Sequence, residues 1–224
     1  MIDLDCALSH VKSLDEYADL PIVLFGHSWG AYSSASVLSF HPDVKAAVIV
    51  SGFNESEDLI LHQGRQFVGP LADLTAPYVF LYERLKFGSE YADASALSGI
   101  SDSEAQIIVV HSEDDADVPI EYGYEKLYSE LEKSERFEFI KYEDRGHSYV
   151  FCSDDAKEYR DALNEDYTAY VEAHGGKYNA EIKQEFMSAN LDKAKCFEPD
   201  PELMAIVLQA YDESCEDGKK GEMS

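Results

Sequence analysis

The sequence predicts an α/β fold, in which helices flank a mostly parallel sheet. Three observations lead to this prediction. Apolar runs at residues 22–25, 44–50 and 106–111 are too short for typical helices and lack polar alternation, so they suit strands buried on both faces. Helical segments separate these runs, and a glycine-containing turn follows the first. Strands that alternate with helices imply parallel pairing through right-handed crossovers.

The first predicted helix covers residues 3–18. Its apolar residues recur at the spacing of one helix face, with polar residues between them, and they are Leu4, Leu8, Val11 and Leu14. This amphipathic helix leads directly into the strand at residues 22–25.

The turn at residues 26–30, which we call the elbow, reads GHSWG and fits the pattern G-x-S-x-G. A strand precedes it, and small residues suited to a closely packed helix follow it. The glycines allow a tight turn and a close approach of helix and strand, so the hydroxyl of Ser28 is raised above the carboxyl end of the strand. Ser28 is therefore the candidate nucleophile. An ordinary serine in a glycine-rich loop is the alternative.

The remaining elements follow in order along the chain. They are a helix at 31–40, a strand at 44–50, a mostly helical insertion at 53–105, a strand at 106–111, a helix at 120–133, a strand at 137–142, helices at 154–173, 180–189 and 201–213, and a disordered acidic end. This order divides the chain into a core of residues 1–52 and 106–174, an insertion of residues 53–105, and a C-terminal helical extension of residues 175–224.

The composition excludes several classes of partner. With 45 acidic and 18 basic residues, the chain has a formal net charge of −27 at pH 7, which disfavours binding to nucleic acid and to anionic membrane surfaces. The four cysteines have no C-x-x-C spacing, so reduced thiols are expected. No apolar run is long enough to span a bilayer, and the opening residues do not resemble a signal peptide, so a cytoplasmic location is expected.

Two further residues complete a candidate catalytic set. A serine hydroxyl becomes nucleophilic when a base takes its proton, and the usual base is an imidazole oriented by a carboxylate. Asp115 lies in the loop after the third predicted strand, and His147 lies in the loop after the fourth. The chain order Ser, Asp, His is that of the α/β-hydrolase fold. Asp114 and Asp117 are less favoured candidates for the acid.

Three stretches of the chain resemble the α/β-hydrolase superfamily, especially its esterase, lysophospholipase-like and serine-aminopeptidase-like members. They are GHSWG at 26–30, HSEDDADVP at 111–119 and RGH at 145–147. In those families a loop of the form H-G-x-x-D-x-x-V-P carries the acid, and its aspartate aligns with Asp115. A strand followed by G-H supplies the imidazole, which matches His147. The resemblance covers residues 4–173.

The resemblance implies acyl transfer to a small-molecule acyl substrate, with no metal and no organic cofactor. Ser28 would attack a carbonyl carbon, and His147 would take the hydroxyl proton. Asp115 would hold the tautomer of the imidazole, and the backbone N–H of Trp29 would donate to the developing oxyanion. The insertion would act as a lid over the nucleophile.

Other polar residues near these motifs have a structural interpretation as the first expectation. His27 is expected to pack within the elbow, and His111 to make a structural hydrogen bond rather than bind a metal. His62 is expected to face solvent, with a contact to substrate as the alternative. Trp29 either shapes the acyl pocket or packs beside the elbow. A solvated face is expected for the acidic residues that open the insertion, with attraction of a cationic substrate as the alternative: Glu55, Glu57 and Asp58.

The chain departs from the superfamily before the elbow. Members usually have several strands there, and one of their loops, with an H-G motif, donates a second N–H to the oxyanion. Here a single predicted helix precedes the elbow strand, which would leave an exposed apolar edge. The favoured explanation is a C-terminal fragment or mis-started reading of a longer enzyme. A homodimer paired through this edge and a degenerate, inactive relative are the other two.

The leading hypothesis is a serine hydrolase that cleaves a carboxylic ester or related acyl bond through an acyl-enzyme on Ser28. The alternative is a non-catalytic binding protein that keeps the fold and the pocket, or a fragment that is inactive alone. The sequence does not distinguish esterase, lipase, peptidase and thioesterase activities, because the predicted lid has no fixed pattern.

Overall fold

The computed structural model describes residues 1–221, with side chains through residue 216. The chain divides into two units. Residues 1–150, together with the chain from residue 206 onward, make the first unit, and residues 151–205 make the second. The three residues of the predicted catalytic set and the predicted oxyanion donor, Trp29, belong to the first unit.

The first unit is built on a four-stranded sheet in the order β1-β2-β3-β4, with every pair of neighbours parallel. The strands are β1 (Val23–His27), β2 (Ala46–Val50), β3 (Gln106–Ser112) and β4 (Phe137–Tyr142). All four predicted strands are confirmed, with ends within two residues of those predicted, which is the usual uncertainty of element boundaries. The predicted parallel α/β architecture is therefore confirmed.

Helices connect these strands. In the first unit they are α1 (Ile2–Lys12), α2 (Trp29–Ser36, continued by a 3₁₀ turn at Val37–Ser39), α3 (Ser56–Val68), α4 (Ala76–Phe87), α5 (Ser89–Ala92), α6 (Ala96–Ser101) and α7 (Tyr124–Leu131). The insertion predicted as helical therefore holds α3 to α6, with a 3₁₀ segment at Gly69–Thr75. None of the helices in the described part of the chain is long and apolar enough to cross a bilayer.

Helix α1 is shorter than predicted, because it ends at Lys12 and the prediction continued to residue 18. The next residue, Ser13, donates its hydroxyl to the carbonyl of His10 at 2.6 Å. A serine side chain that bonds a nearby carbonyl competes with the helical ladder. Turns follow it up to β1.

The core lies between the sheet and the helices packed on it. All five residues of β2 are buried, and so are Ala31 and Ala35 on α2. Helix α6 lies against α2, since a Cβ at Gly99 would stand 2.2 Å from the carbonyl oxygen of Ala35. Small residues therefore let two helices stack closely beside the elbow.

Edge strand β1 is contacted by the C-terminal helix α11 (Pro201–Gly221). The hydroxyl of Tyr211 donates to the carbonyl of Leu24 at 2.7 Å, and burial raises the pKa of Tyr211 to about 12. Helix α11 also contacts β3, where the Ser214 hydroxyl donates to the side chain of Gln106 at 3.3 Å. The homodimer predicted through the β1 edge stays a prediction.

The second unit contains α8 (Asp154–Ala173), α9 (Ala180–Asn190), α10 (Lys193–Cys196) and the beginning of α11. Arg160 on α8 donates to the carbonyl of Cys196 on α10 at 2.8 Å, which ties these two helices together. Helix α11 continues to Gly221, beyond the end predicted at residue 213, and residues 222–224 of the predicted disordered tail lie outside the described residues. The predicted domain boundaries stay a prediction.

Candidate active site

The candidate catalytic residues follow strands that end at one edge of the sheet. Ser28 comes directly after β1, Asp115 lies in the loop after β3, and His147 lies in the loop after β4. Because all the strands are parallel, their carboxyl ends share this edge. The fold therefore brings the three loops to the same rim.

The elbow turns the chain from strand to helix within a single residue. Ser28 separates the last residue of β1 from the first residue of α2, and its backbone has φ 57° and ψ −120°. Residues other than glycine rarely adopt a positive φ, and such strain costs about 1–3 kcal/mol. Two backbone hydrogen bonds hold the turn: the Ser28 N–H donates to Val50 O at 2.9 Å, and its carbonyl accepts from the Tyr32 N–H at 3.1 Å.

The two glycines of the elbow have different surroundings. A Cβ at Gly26 would lie 2.3 Å from the carbonyl oxygen of Gly30 and 2.6 Å from the hydroxyl oxygen of Ser34. A Cβ at Gly30 would meet nothing within 4 Å. The first glycine is therefore required for the space it leaves to α2, and the second is not required for space.

The acid and the base form a hydrogen-bonded pair. The Nδ1 of His147 lies 2.8 Å from Oδ2 of Asp115, whose side chain is fully buried. Since a carboxylate accepts, Nδ1 carries the proton, and Nε2 is left with a free lone pair. The Asp115 hydrogen bond raises the pKa of His147 above its ordinary value, although partial burial opposes this.

Asp115 is held as a carboxylate by its own loop. Its Oδ1 accepts from the backbone N–H of Val118 at 2.8 Å and of Asp117 at 3.1 Å. Burial by itself would raise the pKa of Asp115, but the hydrogen bonds from His147 and Val118 outweigh burial, so the pKa is lowered. The carboxylate is thus charged and correctly oriented to fix the imidazole.

Asp114, one of the two less favoured candidates for the acid, joins the two loops instead. Its Oδ1 accepts from the Ser112 hydroxyl at 2.6 Å and from the Gly146 N–H at 2.8 Å. The Ser112 hydroxyl in turn accepts from the N–H of Arg145 at 2.9 Å. Sequence reasoning missed this role, because the bonds join residues 32 and 33 positions apart.

Two further histidines stabilise the same rim. The Nε2–H of His27 donates to the backbone carbonyl of His147 at 2.8 Å, and the two rings lie 4.7 Å apart. The Nε2–H of His111 donates to the carbonyl of Val118 at 2.9 Å, beside Asp115. Burial lowers the pKa of His27 and of His111, which favours their neutral forms. His111 thus makes the structural hydrogen bond expected from the sequence.

The nucleophile and the base are not hydrogen-bonded to each other. Within the described part of the chain, no hydrogen bond joins the hydroxyl of Ser28 to the ring of His147. The N–H of Trp29, at the first position of α2, likewise has no acceptor among those residues. This N–H is the oxyanion donor predicted from the elbow, and it is free to donate a hydrogen bond to a ligand oxygen.

Two cavities border the elbow on the side of the insertion. A cavity of about 380 Å³ is lined by Trp29 and by residues of α3 to α5, among them Ser56, Glu83 and Phe87. A second cavity of about 570 Å³, lined mostly by apolar side chains, shares Trp29, Glu83 and Phe87 with the first. Glu83 was not singled out by the sequence analysis, because no local motif marks it.

The other residues considered from the sequence lie outside the linings of these two cavities. His62 packs on the ring of Tyr122, with ring centres 5.2 Å apart. Glu55 and Asp58 lie 3.3 Å and 3.7 Å from the ammonium of Lys126. Among the described residues, no group of three or more His, Cys, Asp or Glu side chains could hold a metal ion.

The parallel sheet and the order of the loops that carry Ser28, Asp115 and His147 are those of the α/β-hydrolase class. Residues 3–174 match the prolyl oligopeptidase family. This match spans more than half of the chain, and the chain belongs to that family. The superfamily predicted from the three motifs is therefore confirmed.

Several solved structures are similar to this chain at low sequence identity. The esterase domain of a Rhodothermus marinus protein is 17% identical, with a TM-score of 0.44 over 65% of this chain and 57% of that chain. Acetyl xylan esterase 1 from Thermoanaerobacterium sp. is 14% identical, with a TM-score of 0.46 over 65% of this chain and 46% of that chain. Acylaminoacyl peptidase from Pyrococcus horikoshii is 15% identical, with a TM-score of 0.44 over 64% of this chain and 22% of that chain.

This chain thus spans less than two thirds of each of these three proteins. No curated protein sequence matches it significantly.

Proposed function

We propose that the chain carries the active site of a serine hydrolase that cleaves a carboxylic ester or related acyl bond through an acyl-enzyme on Ser28. The observation that carries this proposal is the strained elbow of Ser28 on the same sheet edge as the Asp115–His147 pair, whose nitrogen and oxygen lie 2.8 Å apart. Membership of the prolyl oligopeptidase family supports the reaction class.

In the proposed reaction, the hydroxyl of Ser28 attacks the carbonyl carbon of the substrate while its proton passes to Nε2 of His147. The new oxyanion accepts a hydrogen bond from the N–H of Trp29. The imidazolium then gives its proton to the leaving group as the carbon–oxygen or carbon–nitrogen bond breaks. Water, deprotonated by the same imidazole, attacks the acyl-enzyme and releases the acid and free Ser28.

The protonation states of the pair suit this sequence of steps. A charged Asp115 fixes the proton on Nδ1, so Nε2 is the nitrogen that faces the reaction. Because the raised pKa of His147 makes the imidazole a stronger base, proton transfer from the hydroxyl becomes easier. The hydrogen bond between a catalytic serine and its base often forms fully only when substrate binds. The absence of a Ser28–His147 hydrogen bond in the free chain is therefore compatible with this reaction.

We further propose that α3 to α6 form a lid that shapes the acyl pocket. The support is Trp29, an elbow residue that lines both cavities and packs edge-on against Phe53 with ring centres 4.8 Å apart. A ligand in either cavity can reach this residue, since Trp29 is 45% exposed. The pocket volumes are in the range of small-molecule sites.

A fluorophosphonate probe tests the proposal, because it reacts only with an activated serine. We expect labelling at Ser28, loss of the label in Ser28→Ala, and strong loss in His147→Gln. The matched control is Ser33→Ala, in helix α2 directly after the elbow. The Ser33 hydroxyl donates to the carbonyl of Trp29, and this variant should keep the label. Labelling at another residue, or none in folded protein, contradicts the proposal.

A non-catalytic binding protein is the second candidate. The observation that favours it is the missing hydrogen bond between Ser28 and His147 among the described residues. It predicts that acyl compounds bind without turnover and that the probe leaves Ser28 unlabelled. Hydrolysis of matched ester, thioester and anilide substrates that disappears in Ser28→Ala excludes this candidate and identifies the bond that is cleaved.

A further inference from the structure

One carboxylate beside the elbow has no cationic partner. Glu83, on α4, is half-buried and accepts hydrogen bonds from the Ser56 hydroxyl at 3.1 Å and 3.3 Å. Within the described part of the chain, no lysine or arginine lies within ion-pair distance of it. A half-buried carboxylate that keeps only one neutral donor retains capacity for further strong hydrogen bonds.

Two cations near Glu83 pair with other acidic residues, and Lys86, three residues further along α4, makes no ion pair with Glu83 among the described residues. Arg84, the next residue on α4, donates to both carboxylate oxygens of Asp93, at 2.8 Å in one of the two bonds. Lys126 pairs with Glu55 and Asp58. With 45 acidic and 18 basic residues in the chain, many carboxylates lack a cation, and Glu83 is distinguished by its half-buried position in the lining of both cavities.

Glu83 also lines both cavities at the elbow, with aromatic side chains around it. Trp29 and Phe87 are shared by the two cavities, and Tyr91 lies in the smaller one. A carboxylate beside partly exposed aromatic side chains suits an organic cation, which gains a charge-assisted hydrogen bond and cation–π contacts at once. Burial raises the pKa of Glu83, as expected for a carboxylate without a cation beside it.

The other charged groups of the smaller cavity come from the start of the chain. Asp3 and Met1 line it, and burial lowers the pKa of the Met1 amino group, which Asp3 partly offsets. The larger cavity has Glu83 as its ionisable carboxylate, among Trp29, Ile60, Val79 and three further aromatic residues. An apolar ligand chain in the larger cavity would therefore contact Trp29 and place its end group near Glu83.

We propose that Glu83 selects acyl substrates that carry a protonated amine, with the ammonium bound at this carboxylate and the apolar chain against Trp29 and Phe87. This inference rests on the proposed function, because it takes the ligand to be a substrate of the hydrolase. Two classes of substrate carry the required primary ammonium group: aminoacyl compounds, through the α-amine, and longer acyl chains, through a terminal amine.

A binding experiment tests the inference without any turnover. Trp29 is the only tryptophan of the chain, so its fluorescence reports on ligands in these cavities. We expect n-hexylammonium to bind about tenfold more tightly than 1-hexanol, which has the same chain without the charge. Glu83→Gln, which keeps an acceptor for Ser56, should abolish this difference and leave the affinity for hexanol unchanged.

The matched control is Glu57→Gln. It removes the same charge from the same insertion at a residue that lines neither cavity. This variant should keep the preference for the ammonium. Equal binding of the two ligands by the unsubstituted chain, or a preference that survives in Glu83→Gln, overturns the inference.

A turnover experiment then locates the amine. The 4-nitrophenyl esters of 6-aminohexanoate and heptanoate test the terminal amine, and those of leucine and 4-methylpentanoate test the α-amine. A kcat/KM preference for the charged member of one pair, lost in Glu83→Gln, identifies the substrate class. If both neutral esters are cleaved and neither pair shows a preference, the inference fails and the hydrolase proposal stands. If no ester is cleaved and no probe labels Ser28, the hydrolase proposal fails and the fluorescence titration alone decides on Glu83.

Discussion

The two glycines of the elbow, although symmetric in the sequence, should respond in opposite ways to the same substitution. In Gly26→Ala, the new methyl group would lie 2.3 Å from the carbonyl oxygen and 2.5 Å from the carbonyl carbon of Gly30. Neither atom is the flexible end of a side chain, so the start of α2 must move away from β1. Overpacking of this kind typically costs 1–3 kcal/mol, and we expect about 3 kcal/mol because the clash is with backbone.

Gly30→Ala adds the same methyl group to open space, at the second position of α2. Alanine is favoured over glycine in a helix by up to about 1 kcal/mol. For a unit of this size, 1 kcal/mol shifts the midpoint of thermal unfolding by about 2–4 °C. We therefore expect a midpoint about 6–12 °C lower in Gly26→Ala and unchanged or up to about 4 °C higher in Gly30→Ala, measured by far-UV circular dichroism.

Equal midpoints for the two variants would refute this reasoning, and so would a Gly26→Ala midpoint within 2 °C of the unsubstituted chain. Labelling of Ser28 by the fluorophosphonate probe below the midpoint adds a second readout. Because Gly26→Ala displaces the helix that begins beside the nucleophile, labelling should fall in that variant even where the chain is folded.

Three further predictions concern the imidazole and the edge strand. The pKa of His147 is raised, so the rate of hydrolysis should fall as the pH drops through a value above 6.5. In Asp115→Asn, the acidic limb of the pH–rate profile should move below 6.5, and kcat should fall by about 10⁴-fold. Measured pH–rate profiles of the two proteins test both changes. Asp114→Ala should lower kcat/KM about tenfold or more, because it removes the acceptor that holds the loop of His147. Asp114→Asn keeps an acceptor oxygen and should keep most of the activity. Similar kcat/KM values for the two variants would exclude a positioning role for Asp114. Tyr211→Phe should lower the free energy of unfolding, measured by urea denaturation, by about 0.5–1.5 kcal/mol, because it removes the hydrogen bond to the carbonyl of Leu24 on β1. The same substitution at exposed Tyr78 should leave the free energy of unfolding unchanged. Equal effects of the two substitutions would contradict the prediction.

The sheet and the three site loops could be predicted from the sequence because their signals are local. The run at residues 44–50 contains β2, all of whose residues are buried, and the elbow pattern spans five consecutive residues. The loop of Asp115 and the loop of His147 each follow a strand that could be located by its own composition. Parallel pairing then fixes the common edge without knowledge of any side-chain contact.

The features that the sequence did not predict depend on contacts between distant residues. Glu83 lies in a helix with no buried residue and no local motif, and only its position beside Trp29 gives it a candidate role. The bond between Tyr211 and Leu24 joins residues 187 positions apart. The end of α1 was misjudged because its apolar spacing continues to Leu14 after the helix has ended at Lys12.

The loops at the site are anchored in different ways, and this determines which part of the geometry can change. Asp115 is fixed by backbone N–H groups of its own loop, and His147 is fixed by Asp115 and by the ring of His27. The backbone of Ser28 is fixed by its bond to Val50, but its hydroxyl has no partner among the described residues. In the proposed reaction, rotation about χ1 of this serine is therefore the smallest movement that changes the distance from the hydroxyl to the imidazole. In the proposed reaction, substrate binding has to orient this hydroxyl while the bonds of Asp115, His147 and the Ser28 backbone hold their positions.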